Sequence, residues 1–255
     1  MRAGPLARKA VKVAALPFGT GRPRGPGDVV ILLYHRVGEE EAEIELSPES
    51  FERQLRHLAM RERVRSLDDV LDQGGGGVVI SFDDGTPDFH ETVVPMLARY
   101  RLPAVLYLAT RLAESGAGIT WGQLREAVAT GLVTVGSHTH SHADLSRAEE
   151  QEAEREMRSR KDMIEDRLGV PCRHFAYPWA VGSPAAERVA RHHFASAALH
   201  AWRTNRAGRT DVHRLGRVPV LRADGRFFFV QKARGRLNGE GLAYRALRRG
   251  PWERV

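Results

Sequence analysis

The sequence predicts an α/β protein built around a parallel β-sheet. Short apolar runs alternate with segments of helical period from residue 29 to residue 233. Such alternation is typical of strands joined by crossover helices. Polar clusters directly follow four of the apolar runs, where both a TIM-type barrel and an open doubly wound sheet place their active sites. The alternation alone leaves these two architectures open.

Seven short, largely apolar runs are the predicted strands. The first, VVILLY at residues 29–34, is continuously apolar, as expected of a strand buried on both faces. Four glycines at residues 74–77 lead into the second. The full set of predicted strands is residues 29–34, 78–82, 104–109, 132–135, 174–177, 195–199 and 215–221.

The helices between the strands are predicted from their end signals. Ser47 is the expected N-cap of the first helix, with Pro48 at its first position. Thr120 and Gln123 form a capping box for a helix that ends at Gly131. Further helices are predicted at residues 93–100, from a cap formed by Ser146 and Glu149 to Gly169, at residues 184–193, and at residues 227–233 with Asp224 as the cap.

The chain divides into a central domain, residues 28–231, and two basic ends, residues 1–27 and 232–255. A length of 255 residues with 42% hydrophobic residues suits one large domain. The formal net charge is +7, but the two ends sum to +11 and leave the rest at −4. The basic ends suggest peripheral contact with an anionic membrane. They do not suggest nucleic-acid binding, because they lack interleaved aromatic residues and match no known binding motif.

The cysteine count and the first residues of the chain indicate in which cellular compartment the protein is expected. The single cysteine, Cys172, excludes an intrachain disulfide and a Cys-based metal cluster. Lys9 and Lys12 interrupt the apolar residues near the N-terminus, so no cleavable export signal is expected. We therefore expect a cytoplasmic protein, or one bound peripherally to the inner face of the membrane.

An acidic pair, Asp83 and Asp84, ends the second predicted strand. Adjacent carboxylates after an apolar run repel one another and resist burial, so a nearby cation would stabilise them. In a regular strand the two side chains would point to opposite faces. Gly85 permits the break in the strand that would let both face one site. The pair is therefore a candidate for metal binding or catalysis.

A histidine cluster follows the fourth predicted strand and precedes a helix. His138 and His142 are four residues apart, and neutral imidazoles together with a carboxylate suit zinc and similar divalent ions. His140 lies between them and is expected to be a neighbour, not a ligand. The remaining histidines, among them His174 and His200, belong to no such motif, so packing or surface roles are expected for them.

The order of SFDDG at residues 81–85, GSHTHSHADL at residues 136–145 and FAYPW at residues 175–179 resembles the polysaccharide deacetylase family, carbohydrate esterase family four. Ser81 stands where the family usually has Thr. The resemblance covers roughly residues 29–220 and implies a distorted, incomplete (β/α) barrel resembling a seven-stranded TIM-type barrel. It also implies a metal-dependent hydrolase that removes N-acetyl groups from an amino-sugar-containing glycan or glycoconjugate.

The resemblance also assigns roles to individual residues. It implies that Asp84, His138 and His142 hold a divalent metal ion, with Zn²⁺ expected and Co²⁺, Ni²⁺ or Mn²⁺ as alternatives. Asp83 would be the general base that takes a proton from metal-activated water. The backbone N–H of Trp179 would donate to the oxyanion.

Two features depart from the common branch of the family. Ala176 occupies the place of an arginine that orients the base, and no late Leu-x-His supplies a proton donor. The segment LLYHRV at residues 32–37 instead resembles a branch in which an early YH motif supplies the acid, which makes His35 the candidate general acid. Arg217 is the candidate for orienting Asp83.

Two other functions remain open at this level. The same scaffold could hydrolyse another C–N bond, in a small or cyclic amide, because the motifs do not distinguish a polymer from a small molecule. The third hypothesis for the function is a catalytically inactive relative that only binds sugar. It is favoured by the missing arginine and late histidine, and opposed by the intact acidic and histidine motifs.

Overall fold

The computed structural model describes residues 25–40, 42–180 and 182–236 and shows a closed barrel of seven parallel strands. The ring closes because the last strand pairs with the first, with Ile31 opposite Arg217 and Leu33 opposite Pro219. This closure confirms the predicted seven-stranded barrel and rules out an open doubly wound sheet. In ring order the strands are β1 (Asp28–Tyr34), β4 (Gly77–Asp84), β5 (Ala104–Leu108), β6 (Val133–Ser137), β7 (His174–Ala176), β8 (Ser196–His200) and β10 (Leu215–Pro219).

Three short strands lie outside the ring of seven. β2 (Arg36–Val37) and β3 (Glu45–Leu46) pair with each other in the segment that follows β1. β9 (Asn205–Arg206) runs antiparallel to the start of β1. None of the three was predicted, because two-residue strands are too short to show a period in the sequence.

Eight α-helices are described, and most follow the carboxyl end of a strand. They are α1 (Pro48–Arg61), α2 (Leu67–Gln73), α3 (Val94–Tyr100), α4 (Thr110–Ser115), α5 (Trp121–Ala129), α6 (Glu150–Leu168), α7 (Pro184–His193) and α8 (Gly225–Ala233). A π-helical turn, Phe89–Val93, precedes α3. The predicted caps of α1 and α5 are confirmed, since Ser47 accepts from the Ser50 amide and Thr120 forms a capping box with Gln123.

One predicted cap was wrong, and a second was right in position only. Ser146 does not start α6, because its amide donates to Asp144 and the preceding residue, Leu145, forms a bridge with Gly182. This bridge holds the segment away from the helix, so α6 begins only after Glu149. Asp224 precedes α8, but its side chain makes no cap hydrogen bond there. Its carboxylate instead accepts from the Leu221 amide and from Lys232.

The barrel interior and the layer between barrel and helices form two separate apolar cores. Tyr107 is the largest apolar side chain of the interior core and lies opposite Gly136 on the neighbouring strand. A Cβ atom at Gly136 would lie 2.9 Å from the Tyr107 ring and 2.7 Å from the His174 carbonyl oxygen. Glycine at this position is therefore what lets the tyrosine fill the barrel.

The predicted basic ends lie outside the described ranges, except for residues 25–27 and 232–236. Among the described helices, none has the length and apolar character needed to span a membrane.

Candidate active site

The polar residues singled out in the sequence meet at the carboxyl end of the barrel. Asp83 and Asp84 end β4, His138 follows β6, and Arg217 lies within β10. His35 directly follows β1, and Trp179 lies in a 3₁₀ turn shortly after β7. Parallel strands bring all these positions to one edge of the sheet, although up to 182 residues separate them in the chain.

Asp84, His138 and His142 form a compact group of metal-binding side chains. One carboxylate oxygen of Asp84 lies 3.6 Å from Nε2 of His142 and 3.9 Å from Nε2 of His138. All three ligand atoms lie within 4.8 Å of one another. His138 is buried, whereas His142 and Asp84 are partly open to solvent. A ligand that enters from solvent can therefore reach one side of the group.

A backbone hydrogen bond orients His138 toward this group. Its Nδ1–H donates to the carbonyl oxygen of Ala176 at 2.7 Å. Because a carbonyl can only accept, this bond places the proton on Nδ1 and leaves the Nε2 lone pair facing Asp84. Burial also lowers the pKa of His138. A neutral, oriented imidazole is the form that binds a divalent ion.

The spacing of the three side chains fits a divalent ion. Two ligand atoms that each lie about 2.1 Å from a tetrahedral ion are about 3.4 Å apart. The separations of 3.6 and 3.9 Å from the Asp84 oxygen are close to this value. A set of two imidazoles and one carboxylate, with a side open to solvent, is typical of a catalytic zinc site.

Four residues at this edge adopt left-handed backbone conformations that non-glycine residues rarely take. They are Asp84, Thr139, His142 and Trp179, with φ values of 73°, 64°, 58° and 58°. Each costs on the order of 1–3 kcal/mol, and such residues concentrate at functional sites. At Asp84 and the following glycine, φ 87°, the left-handed turn breaks β4 and directs the Asp84 carboxylate toward the histidines. The break expected at Gly85 therefore begins one residue earlier.

Asp83 forms a buried, bidentate ion pair with Arg217. The two guanidinium nitrogens donate to the two carboxylate oxygens at 2.5 and 2.8 Å. Asp83 is 3% exposed and Arg217 is 1% exposed. Burial alone would raise the pKa of Asp83, but the charges of Arg217 and His138 outweigh it and hold that pKa well below its usual range. Asp83 is therefore a carboxylate at neutral pH.

Arg217 is itself held from below by Tyr107. The guanidinium carbon lies 5.1 Å from the centroid of the tyrosine ring, within the range of a cation–π contact. The Asp83 oxygen Oδ2 lies 3.7 Å from Nε2 of His138. Asp83 thus lies beside the three-residue group, and Arg217, two strands away around the ring, fixes its orientation.

His35 and Trp179 lie on either side of this arrangement. His35 is half-buried, and its charge contributes to the lowered pKa of Asp83, which places the two groups within electrostatic reach. Trp179 is 57% exposed, and its ring centroid lies 4.9 Å from that of His142. Its Nε1–H donates to the His142 carbonyl oxygen at 3.3 Å. Trp179 therefore supports the loop that carries His142.

His200 is a residue at this edge that the sequence did not single out. It ends β8 directly opposite Arg217, and its ring stacks on Trp202 at 4.0 Å. Its Nε2 atom is buried and has no hydrogen-bond partner among the described residues. Burial and the neighbouring Arg217 lower the pKa of His200 to about 3. The only sequence signal for His200 was its place at the end of an apolar strand. The packing role expected for it did not predict that it lies beside Arg217.

Two other residues of these motifs, His140 and Ser81, make contacts outside the three-residue group. His140 Nδ1 lies 3.0 Å from the Thr110 hydroxyl, outside the three-residue group. The Ser81 hydroxyl, which replaces the usual threonine, donates to the Leu32 carbonyl oxygen at 2.8 Å. Ser81 therefore joins β4 to β1 below the site.

The fold and these side chains define an α/β barrel with a candidate Asp–His–His metal centre at its mouth. The sequence model of the polysaccharide deacetylase family matches residues 71–195. That span contains Asp83, Asp84, His138, His142 and Trp179, and leaves out His35 and Arg217.

Known proteins agree with this match. YxkH of Bacillus subtilis (strain 168), a curated relative named for the same family, is 23% identical over 182 residues, which are 67% of this chain and 64% of the relative. The chain thus spans less than two thirds of that relative. Streptococcus pyogenes deacetylase PplD in complex with acetate has a similar fold, with a TM-score of 0.75 and 22% identity over 82% of this chain and 99% of that one. IcaB from Ammonifex degensii has a TM-score of 0.71 and 26% identity over 84% and 98% of the two chains. The chain is thus similar to the polysaccharide deacetylase family over about half of its length and shares its fold with these solved structures.

Proposed function

We propose that this protein is a metal-dependent hydrolase that removes N-acetyl groups from an amino-sugar-containing glycan or glycoconjugate. The observation that carries the proposal is the group of Asp84, His138 and His142 with the carboxylate of Asp83 beside it. The family match supports the reaction class.

Asp84, His138 and His142 would hold the divalent ion, expected to be Zn²⁺. When bound, such an ion polarises an amide carbonyl and lowers the pKa of water. The chain contributes the oriented Nε2 atom of His138 and the open side formed by the partly exposed His142 and Asp84. This open side leaves room for the substrate amide.

Asp83 acts as the general base. It lies beside the ligand group without belonging to it, and Arg217 keeps it ionised and fixed in orientation. An ionised carboxylate can accept a proton from the attacking water as the C–N bond is cleaved. Strong pairing with Arg217 also makes Asp83 a weaker base, so positioning is its main contribution.

His35 is the proposed general acid that protonates the departing nitrogen, and the backbone N–H of Trp179 is the proposed oxyanion donor. His35 lies at the end of β1, across the barrel mouth from β7. We propose on the same grounds that the chain belongs to the branch with an early YH motif and a FAYP-type third motif. The exposed indole of Trp179 suits stacking on the apolar face of a sugar ring.

The test is acetate release by the purified full chain loaded with zinc or cobalt. N-acetylglucosamine oligomers and monosaccharide conjugates are compared as substrates. Asp83→Asn and Asp84→Asn form a matched pair, because each removes one carboxylate charge from adjacent positions. We expect both variants to lose turnover, Asp83→Asn with near-normal metal content and Asp84→Asn with loss of metal.

Other outcomes would change the assignment. Loss of metal in Asp83→Asn would mean that the two aspartate roles are exchanged or shared. Binding of a sugar oligomer without any acetate release would favour the inactive relative. Hydrolysis of a cyclic amide but of no N-acetyl sugar would favour the other C–N hydrolase.

A further inference from the structure

A cationic groove lies between α1 and α8, on the outside of the barrel. It has a volume of about 350 Å³ and is lined by residues of both helices and of the segments that lead into them. Both helices begin at the barrel end that carries the candidate site, since α1 follows β1–β3 and α8 follows β10. We refer to this feature as the α1/α8 groove.

The charge of the α1/α8 groove has a single sign. The described residues that line it include five arginines and no acidic residue: Arg53, Arg56, Arg61, Arg222 and Arg226. A second surface groove, along α6, is lined by Arg155, Arg158 and Arg167 but also by Glu154, Asp162 and Asp166. A mixture of both charges is usual for a solvated surface, so the α1/α8 groove differs from it in kind.

None of the five arginines forms an ion pair with a carboxylate of the described residues, while Glu49 and Glu52 lie within electrostatic reach of Arg53 and Arg56. Arg53 donates to the Ser50 hydroxyl at 2.7 Å, and Arg222 donates to the backbone carbonyl of Glu40 at 2.8 Å. Neither acceptor is a side-chain carboxylate. Arg61 and Arg226 form no ion pair with any described acidic residue. Guanidinium groups in this state are free to bind anionic oxygens.

Two of these charges converge on the centre of the groove. Burial lowers the pKa of His57, the Glu62 carboxylate 3.9 Å from its Nε2 opposes this shift, and the positive charges of Arg234, Arg226 and Arg61 lower the pKa further. The His57 ring packs against Phe229 at a centroid distance of 6.0 Å. One arginine from each helix therefore lies within electrostatic reach of His57, which packs on Phe229. An anionic group bound beside these two rings would be attracted by both arginines.

Exposed apolar side chains accompany the arginines. Met60 lines the groove and is 69% exposed, and Phe227 follows Arg226 on α8 and is 58% exposed. A free phosphate would leave both side chains in water. The headgroup region of a bilayer would bind the arginines through lipid phosphates and cover the apolar side chains.

The geometry points to a docking site for anionic phospholipid headgroups at a membrane surface. The segment after α8 does not complement the groove, because residues 237–255 contain four arginines and two glutamates and so share its sign. None of the residues that line the groove belongs to the basic ends, and the site does not rest on the hydrolase proposal. A membrane bound there would lie beside the end of the barrel that carries the candidate active site.

The experiment measures sedimentation of the full chain with vesicles of phosphatidylcholine, with or without phosphatidylglycerol. The groove variant is Arg61→Gln with Arg226→Gln. The control variant is Arg155→Gln with Arg158→Gln, which removes the same charge from the mixed surface of α6. Thermal unfolding of each variant checks that its fold is retained.

We expect the wild type to bind only the anionic vesicles. Each arginine near an anionic surface contributes about fivefold in binding, so the groove variant should bind about 25-fold more weakly. The control variant should change by less than about threefold, since Glu154, Asp162 and Asp166 on the same surface oppose the approach of an anionic membrane. Met60→Ser with Phe227→Ser should also weaken binding, at unchanged charge.

Three results would overturn the proposal. The first is no binding of the wild type to either vesicle. The second is an equal loss in the groove and control variants, which would assign binding to net charge or to the basic ends. The third is binding of inorganic diphosphate that depends on Arg61 and Arg226 while vesicle binding does not, which would make the groove a site for a soluble phosphate ligand.

Discussion

Replacing Arg217 by methionine tests how the candidate base is held. The guanidinium donates to both oxygens of Asp83, and both side chains are almost completely buried. Methionine retains an unbranched apolar chain over the Tyr107 ring but removes the charge and every donor. The substitution therefore leaves a carboxylate in the barrel without its main partner.

The expected loss of stability follows from this burial. Removing one partner of a buried ion pair costs about 3–5 kcal/mol, because the remaining charge keeps its desolvation penalty. Two charge-assisted hydrogen bonds of about 1.5–3 kcal/mol each give a total in the same range. In a protein of this size, the melting temperature should fall by roughly 6–20 °C.

A double-mutant cycle separates the pair from the rest of the barrel. Urea unfolding of Arg217→Met, Asp83→Asn and the double variant gives the coupling energy between the two side chains. We expect the double variant to be more stable than Arg217→Met, because asparagine removes the unpaired charge. Arg217→Lys should lie between wild type and Arg217→Met, since an ammonium group cannot form the same two-pronged contact. The order of acetate release among the single Arg217 variants should follow the same series.

The reasoning is refuted by two results. A loss below about 1 kcal/mol in Arg217→Met would mean that the ion pair contributes no more than an exposed one. Strict additivity in the cycle would mean that Asp83 and Arg217 act independently.

Three further predictions concern single histidines. His35→Ala should lower the rate of acetate release by roughly 10²-fold if His35 donates the proton, and a near-normal rate would move the acid to another residue. His138→Ala should weaken the binding of cobalt, measured by the absorption spectrum of the bound ion. The control His140→Ala should leave cobalt binding unchanged, because His140 lies outside the ligand group. Equal effects of the two substitutions would place the metal elsewhere. His200 has a pKa of about 3 when folded, below the ordinary histidine value, so the unfolded chain binds more protons than the folded one between those values. Stability should therefore fall as pH is lowered from about 6.5 toward 3, by up to about 1.4 kcal/mol per pH unit from this group. His200→Phe should make the urea midpoint less sensitive to pH in that window, and an unchanged slope would contradict the neutral state of His200, whose Nε2 atom is buried.

Local patterns predicted most of the secondary structure. All seven barrel strands lie where the apolar runs placed them, since continuous burial on both faces leaves a direct signal in the sequence. The N-caps at Ser47 and Thr120 were also correct, because each depends on residues within three positions. The helices α2 and α4 were missed, because 7 and 6 residues are too few to show a helical period.

The errors came from contacts that compete with the predicted caps. Ser146 looked like a cap, but the bridge between Leu145 and Gly182 displaced the start of α6. Asp224 looked like a cap, but its carboxylate was taken by Lys232 and the Leu221 amide. In both cases the predicted cap made, or lay next to, a contact that a cap motif does not specify.

The sequence by itself determined the class of fold and the three side chains of the candidate metal centre. Apolar runs dictate buried strands, and polar clusters directly after them must meet where parallel strands end. Closure of the barrel was decided only by the tertiary structure, as was the two-pronged contact by which Arg217, a candidate from the sequence, holds Asp83 across 134 residues. The same holds for His200 beside Arg217 and for the five arginines of the α1/α8 groove. These contacts depend on strand register and helix packing around a closed ring, which the pattern of one segment does not specify.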